Sequence, residues 1–246
     1  MRKTDYSVLA ERYAAHRRVN PRVAELLANT VHHGARVMEV GCGTGNYLAA
    51  VCALSAAAGI GVDPSPEMLN ATAGTAARQR RLVGRAEQLG VAAGQFDLIF
   101  SVDVIHHVVD RDAGYREAFR VLRKGGRVCT VTESDMMLRT RDPQSRYFPE
   151  TIDVELARYP SIETLRREMQ RAGFENLSED VAEWTSEVID TAPFREKVFS
   201  SLLYISESAF DSGLARLEAA VQAGAVRYVS RYVLLWGTKV PSVPSA

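Results

Sequence analysis

An acid placed two residues ahead of alternating glycines can hold a polar ligand against bare backbone. That arrangement occurs at Val37-Met38-Glu39-Val40-Gly41-Cys42-Gly43-Thr44-Gly45-Asn46-Tyr47. The stretch reads as a buried strand, a glycine-rich turn and the start of a helix. Gly41, Gly43 and Gly45 let the chain turn sharply and approach a ligand closely. The following helix offers free N–H groups and the positive end of its dipole. A dinucleotide site would show G-x-G-x-x-G; here the third glycine comes one residue early and Asn46 holds its place.

Further segments extend the pattern. Gly59-Ile60-Gly61-Val62-Asp63 reads as a second apolar strand ending in an acid. Ligands of open α/β sheets sit at such carboxyl ends, and an acid there can accept hydrogen bonds from both hydroxyls of a ribose. Pro64-Ser65-Pro66-Glu67-Met68-Leu69 then begins a helix, with Ser65 as N-cap and Pro66 at its first position. Gly84-Arg85-Ala86-Glu87 precedes the apolar Phe96-Asp97-Leu98-Ile99-Phe100-Ser101, and Val121-Leu122-Arg123-Lys124-Gly125-Gly126-Arg127-Val128 is a glycine turn into another strand. Ser101-Val102-Asp103-Val104-Ile105-His106-His107-Val108 follows the fourth strand and is expected to enter a helix.

Taken in order, these segments resemble the class I S-adenosylmethionine-dependent methyltransferases over about the first 135 residues. E-x-G-x-G-x-G matches their first motif, D-x-S-x-x-M-L the segment after their second strand, G-x-A-E the adenine segment and L-R-K-G-G their L-K-P-G-G turn, with Lys124 in place of proline. The resemblance is greatest to the ubiquinone/menaquinone C-methyltransferase-like group that acts on small molecules. It implies S-adenosylmethionine as cofactor, S-adenosylhomocysteine as product, and roles for individual residues. Gly41, Cys42, Gly43 and Gly45 form the loop, with Cys42 a small filler, and Glu39 reaches the methionine amino group directly or through water. Asp63 takes the ribose, with Pro64, Ser65 and Met68 beside it, and Ala86 and Glu87 lie against the adenine. Ser101 and Val102 end the strand whose corner faces the transferable methyl group. Tyr13-Ala14-Ala15-His16-Arg17 matches a Y-x-x-x-R segment in which Tyr13 covers the methionine moiety and Arg17, or Arg18, reaches its carboxylate.

Acid–base chemistry, if the acceptor needs it, falls on Asp103, His106 or His107, because histidine titrates near neutrality. His106 is the preferred base, His107 the structural one, and Asp103 can equally cap a helix. Asp135, Tyr147 and Glu150 follow the fifth strand and are either substrate-facing or solvated. Trp184, Phe194, Phe199, Tyr204 and Phe210 either line an aromatic acceptor pocket or serve as core. No His/Cys/Asp cluster has ligand spacing, so no metal is expected.

The positioning elements follow an α/β rhythm. The expected fold is Rossmann-like, with seven mostly parallel strands in the order 3-2-1-4-5-7-6 and helical cap insertions. Residues 1–240 form one domain: an N-terminal helical lid over 1–30, broken at Val19-Asn20-Pro21, a cofactor-binding core over 35–133, and cap insertions over 134–160 and 186–224; 241–246 is a tail. Gln88 to Gln95 is too short for a full crossover helix. Ser161 to Gly173 reads as a helix, Asn176 to Trp184 as the sixth strand and Tyr228 to Lys239 as the seventh.

Composition narrows the partners. Of 246 residues, 30 are Lys or Arg and 30 Asp or Glu, giving zero net charge. No basic block exceeds Arg78-Gln79-Arg80-Arg81, which argues against nucleic acid. No apolar run suits a signal peptide or a membrane span, so a cytoplasmic monomer or homodimer is expected. Cys42, Cys52 and Cys129 fall in core elements and read as reduced thiols. The expected activity is methyl transfer to a partly aromatic or apolar small molecule, and the Arg- and Ala-rich composition suggests a secondary-metabolite tailoring step. The alternatives are a cofactor-binding protein without methyl transfer, such as a cyclase or partner subunit, and a nicotinamide-dependent dehydrogenase.

Overall fold

The computed structural model describes residues 16, 18–71, 79–224 and 226–241. Its sheet has seven strands: β1 (Arg36–Val40), β2 (Ala58–Asp63), β3 (Gln79–Val83), β4 (Phe96–Val102), β5 (Leu122–Thr132), β6 (Glu175–Val188) and β7 (Val226–Thr238). The order is β3-β2-β1-β4-β5-β7-β6, as expected from the sequence. The first five strands pair in parallel, while β7 runs antiparallel to both β5 and β6. Apolar runs such as Phe96-Asp97-Leu98-Ile99-Phe100 suit strands covered on both faces.

Helices flank the sheet. Helix α1 (Pro21–Ala28) starts at Asn20, whose side chain accepts from the Arg22 and Val23 N–H groups. Helix α2 (Asn46–Ser55) leaves the glycine turn and α3 (Pro66–Asn70) starts at Ser65, as read from sequence. One core lies between α1, α2 and the sheet, around Val23, Leu27, Leu48, Phe100, Leu234 and Trp236. The opposite face buries Met38, Phe96, Ile99 and Leu235 against α4 (Arg111–Val121) and α8 (Ile162–Arg171). Residues 84–95 cross to β4 without a helix, with a bridge between Arg85 and Gln88 and the Gly94 and Gln95 N–H groups donating to the Arg120 and Val121 carbonyls.

The two insertions form one body. The first holds α5 (Asp135–Arg139), α6 (Gln144–Tyr147) and α7 (Thr151–Arg158); the second holds α9 (Ala192–Arg195) and α10 (Glu207–Ala223). Phe148, Phe194, Leu202, Phe210 and Leu217 bury one another between them. Gly213 of α10 permits this, since a Cβ there would lie 2.4 Å from Phe148 Cδ1. Phe210 is therefore a core residue of the cap, one of its two expected readings, and Tyr147 is buried in the same core, neither substrate-facing nor solvated. Asp135 lies in the first turn of α5 behind the Ser134 cap, and Glu150 is exposed at the start of α7.

The corner after β4 differs from expectation. Ile105–His107 forms one 3-10 turn, and α4 starts only at Arg111, capped by Asp110. Asp103 has a left-handed φ of 59°, and its Oδ1 accepts a 2.5 Å hydrogen bond from the Tyr159 hydroxyl.

Candidate active site

The glycine turn is fastened to β2. The N–H groups of Gly41 and Cys42 donate to the Val62 carbonyl at 2.7 and 3.0 Å, and the Gly45 N–H donates to the Cys42 carbonyl at 2.7 Å. Gly41, Gly43 and Gly45 all have positive φ, which few other residues adopt cheaply. Gly41 is also confined in space, since a Cβ there would sit 2.4 Å from Val104 Cγ1.

Asp63 organises the turn from the end of β2. Its Oδ2 accepts the Gly43 N–H at 2.8 Å and its Oδ1 accepts the Ser65 N–H at 2.9 Å. A carboxylate offers about four lone-pair sites, so capacity remains for ligand hydroxyls. Burial raises the Asp63 carboxyl above its ordinary value, opposed by those two N–H groups.

Around this turn opens a cavity of about 180 Å³. Gly41, Gly43, Asp63, Pro64, Ser65, Met68, Ala86, Glu87, Asp103 and His107 are on its wall, so ten residues singled out from sequence converge there. Val40, Gly84, Arg85, Val104 and Val108 complete the wall and were not singled out as site residues. Val104 and Val108 had a readable signal: they bracket Ile105-His106-His107, and Val104 packs against Gly41.

Other expected residues lie elsewhere. Glu39 is 3% exposed and accepts the Leu48 N–H at 2.9 Å, bracing α2 from behind the turn. Burial pushes its carboxyl up to about 8, with Asp63 adding to the rise and the Leu48 N–H opposing it. Cys42 and Gly45 shape the turn without lining the cavity; the Gly45 Cα faces the Arg81 guanidinium. Val102 belongs to the core under α2, and Ser101 lines a separate space of about 40 Å³ beside α4. Tyr13 and Arg17 lie outside the described residues.

The two histidines exchange places relative to expectation. His107 is on the cavity wall, whereas the His106 side chain is 3% exposed and stacks on Tyr159 at a centroid distance of 4.0 Å. Burial holds the His106 imidazole well below its ordinary range, against the pull of Asp103, so the ring is neutral near pH 7. A buried charge network lies beyond it. Arg141 bonds both carboxylate oxygens of Glu133 and reaches Glu155 at 3.2 Å. Glu133 is raised to about 7 by burial, opposed by Arg141 and reinforced by Asp103.

A larger cavity of about 450 Å³ opens beside β6 and β7. Trp184, Ser186 and Val188 on β6 and Tyr228, Ser230 and Tyr232 on β7 line one side. Strand alternation puts each trio on one face, and register pairs Trp184 with Ser230 and Ser186 with Tyr228. Phe194 and Phe199 close it from the cap, and His16, Arg18 and Asn20 from the N-terminal side. Of the five aromatic residues read from sequence, Trp184, Phe194 and Phe199 are here, while Tyr204 and Phe210 are not. Tyr228 and Tyr232 were missed, although their spacing of four marks a shared strand face. The cavity touches the glycine-turn helix through Asn20, whose N–H donates to the Tyr47 hydroxyl at 2.9 Å.

Other sites are absent among the described residues. None of their His, Cys, Asp and Glu side chains group into a metal site, and no helix is long and apolar enough to cross a membrane. Cys42, Cys52 and Cys129 are buried free thiols. Burial raises all three, Cys52 to about 11, which suppresses thiolate chemistry.

Comparison with known proteins agrees with this geometry. Residues 38–130 match the family model described as a methyltransferase domain. The ubiquinone/menaquinone biosynthesis C-methyltransferase UbiE of Vibrio vulnificus is 30% identical over 175 residues, 59% of this chain and 66% of that protein. The ubiquinone biosynthesis O-methyltransferase of Rhizobium rhizogenes is 33% identical over 104 residues, 40% of this chain and 41% of that protein. The chain thus spans less than two thirds of the length of these curated relatives. Among solved structures, a protein of Anabaena variabilis assigned as a methyltransferase of an antibiotic biosynthesis pathway matches with a TM-score of 0.70 and 16% identity, over 89% of this chain and all of that one. Phosphoethanolamine N-methyltransferase 2 of Haemonchus contortus, in complex with S-adenosyl-L-methionine, matches with a TM-score of 0.60 and 18% identity, over 96% of this chain and 57% of that one. Motif order, strand order and family match coincide: residues 38–130 match a methyltransferase domain, and the chain is similar in sequence and fold to S-adenosylmethionine-dependent methyltransferases.

Proposed function

We propose that the chain transfers the methyl group of S-adenosylmethionine to a partly aromatic small molecule. The observation that carries this reading is the glycine turn tied to Asp63 on the wall of one cavity, with an aromatic cavity joined through Asn20 and Tyr47 to the helix that leaves the turn. The donor fits the residues present. Gly41 leaves room where a side chain would collide with Val104, Asp63 keeps acceptor capacity for ribose hydroxyls, and Ala86, Met68 and Val108 supply apolar surface for a flat base. The donor supplies an activated methyl group on a positively charged sulfur.

The chain's part is binding and alignment. Asp63 and the glycine turn hold one reactant, and the walls built from β6, β7 and the cap orient the other. Holding an acceptor atom in line can supply on the order of 7–11 kcal/mol of barrier reduction. Desolvation by the aromatic walls suits a compact apolar acceptor and disfavours a macromolecular one. The relatives' names place them in quinone biosynthesis and the Anabaena protein in an antibiotic pathway; either setting fits an acceptor of this shape.

Calorimetry tests the reading. Expected are binding of S-adenosylmethionine and S-adenosylhomocysteine and no response to NAD. Asp63→Asn should weaken both by about ten- to a hundredfold, from about 1.5–3 kcal/mol per charge-assisted hydrogen bond at about 1.4 kcal/mol per tenfold. Binding of NAD alone would overturn the assignment. Cofactor binding without methyl transfer to any of a panel of hydroxylated and amino-substituted rings would leave the non-methylating reading in its place.

A further inference from the structure

The larger cavity holds a titratable pair that methyl transfer, as described so far, leaves unused. His16 Nε2 lies 3.3 Å from Glu196 Oε2, across 180 positions of sequence. His16 is on the cavity wall with its side chain 20% exposed; the Glu196 side chain is 41% exposed. No other hydrogen bond to the His16 ring occurs among the described residues. With Nε2–H donated to a carboxylate, Nδ1 is left as the lone-pair nitrogen. A base oriented by an acid is the arrangement that activates a weak nucleophile, and this cavity is joined to the helix leaving the proposed donor turn by the Asn20 N–H bond to the Tyr47 hydroxyl. Arg18 and Asn20 from the N-terminal side, Glu187 and Asp190 from the end of β6, and Tyr228 and Tyr232 from β7 face the same space.

We propose that His16, oriented by Glu196, is the general base of the reaction, and that the acceptor atom is a hydroxyl on a ring. This rests on the proposed methyl transfer and deepens it. The acceptor O–H bond breaks and its proton passes to His16 Nδ1. The oxygen's electron pair forms the new bond to the methyl carbon, and the pair of the broken carbon–sulfur bond returns to sulfur, which becomes an uncharged thioether. Glu196 balances the imidazolium charge, so it is a positioning residue. The aromatic walls contributed by Trp184, Phe194 and Phe199 receive the ring.

The pair could instead merely latch the N-terminal segment to the cap. A latch would alter stability or affinity but leave the ionisation of a bound phenol unchanged. The test uses the full chain without cofactor and 4-nitrophenol, whose two ionisation states differ in colour. Bound to the wild type, the probe should release its proton at a pH about one unit or more below its value in solution, because a base beside it favours the phenolate. His16→Gln should abolish that displacement. Glu196→Gln should reduce it and Glu196→Asp restore part of it, with thermal unfolding confirming that each variant folds. An unchanged displacement in His16→Gln and Glu196→Gln overturns the proposal, and so does failure of 4-nitrophenol to bind. Calorimetry with S-adenosylhomocysteine reports separately on the donor site: loss there sinks the methyltransferase reading, whereas a negative phenol result with intact cofactor binding sinks only the base.

Discussion

Glu39 is a carboxylic acid that the fold keeps protonated at neutrality. Burial holds its carboxyl near 8, whereas an unfolded chain would titrate it near 4.5. The native state therefore binds a proton more tightly than the unfolded state. Its contribution to stability is fully present below about pH 4.5 and is lost as pH rises through about 8. Glu39→Gln keeps an acceptor for the Leu48 N–H and removes the titration. Its unfolding free energy, measured with denaturant at about pH 5 and about pH 9 without cofactor, should fall less than that of the wild type, by a few kcal/mol at about 1.4 kcal/mol per tenfold in proton affinity. Parallel pH curves for the two proteins would show that the carboxyl is not desolvated in this way. The histidines separate similarly. His107, on the cavity wall, should weaken S-adenosylhomocysteine binding several-fold when changed to Ala, while His106→Gln leaves calorimetric affinity within about twofold. His106 is held low, so its contribution is present above its ordinary value near 6.5 and declines as pH falls from there. The variant should lose that acid sensitivity of unfolding. A cofactor affinity that collapses in His106→Gln and survives in His107→Ala would reverse the assignment. Sequence put His106 forward as the base, but both residues follow one strand and the 3-10 turn decides which ring lies on the cavity wall.

The first cap insertion is anchored by charge as much as by apolar contact. Arg141, between α5 and α6, bonds Glu133 at the end of β5 and Glu155 on α7, and all three are buried or nearly so. Arg158 on α7 adds a weaker approach to Glu155 at 3.9 Å. Desolvating such groups is expensive, and removing one partner leaves the others buried without compensation. Arg141→Met should destabilise the protein by about 3–5 kcal/mol, read as a lower denaturant midpoint. A loss below about 1 kcal/mol would mean that water enters and screens the site. Sequence placed Arg141 and Glu155 only within a cap insertion over 134–160, and Glu133 only at the end of the cofactor-binding core. Their partnership joins positions 133, 141 and 155 through three short helices, and no period of 3.6 or 2 reports such contacts. Helices with a local start signal were legible: Ser65 and Ser161 each cap a helix by accepting an N–H three residues on.

The whole molecule divides into a part that local sequence dictates and a part that only assembly reveals. The parallel core was legible because β1, β2 and β4 are apolar runs followed by glycine or an acid, and right-handed crossovers leave few topologies; β3, which opens Gln79-Arg80-Arg81, carries no such run. The sixth strand ran longer than expected, to Val188 in place of Trp184, because it is an edge strand with one exposed face and few apolar markers. The first cavity was legible for the same reason as the core: its wall comes from consecutive residues at strand ends. The second was not, because it draws on the N-terminal segment, β6, β7 and the cap at once. Its aromatic walls make the last prediction. Phe194 is 2% exposed and shared with the cap core, so truncating it would confuse binding with folding. Trp184, on the edge strand and only half-buried, and Phe199, tilted against Phe194 at a centroid distance of 4.9 Å, are the cleaner probes. Aromatic contacts of this kind contribute about 0.5–1.5 kcal/mol each, roughly twofold to tenfold in affinity. Trp184→Ala and Phe199→Ala should therefore raise the acceptor KM by that factor and leave S-adenosylhomocysteine affinity unchanged. Equal losses at both sites would assign these rings to the scaffold, and an unchanged KM would move the acceptor out of this cavity.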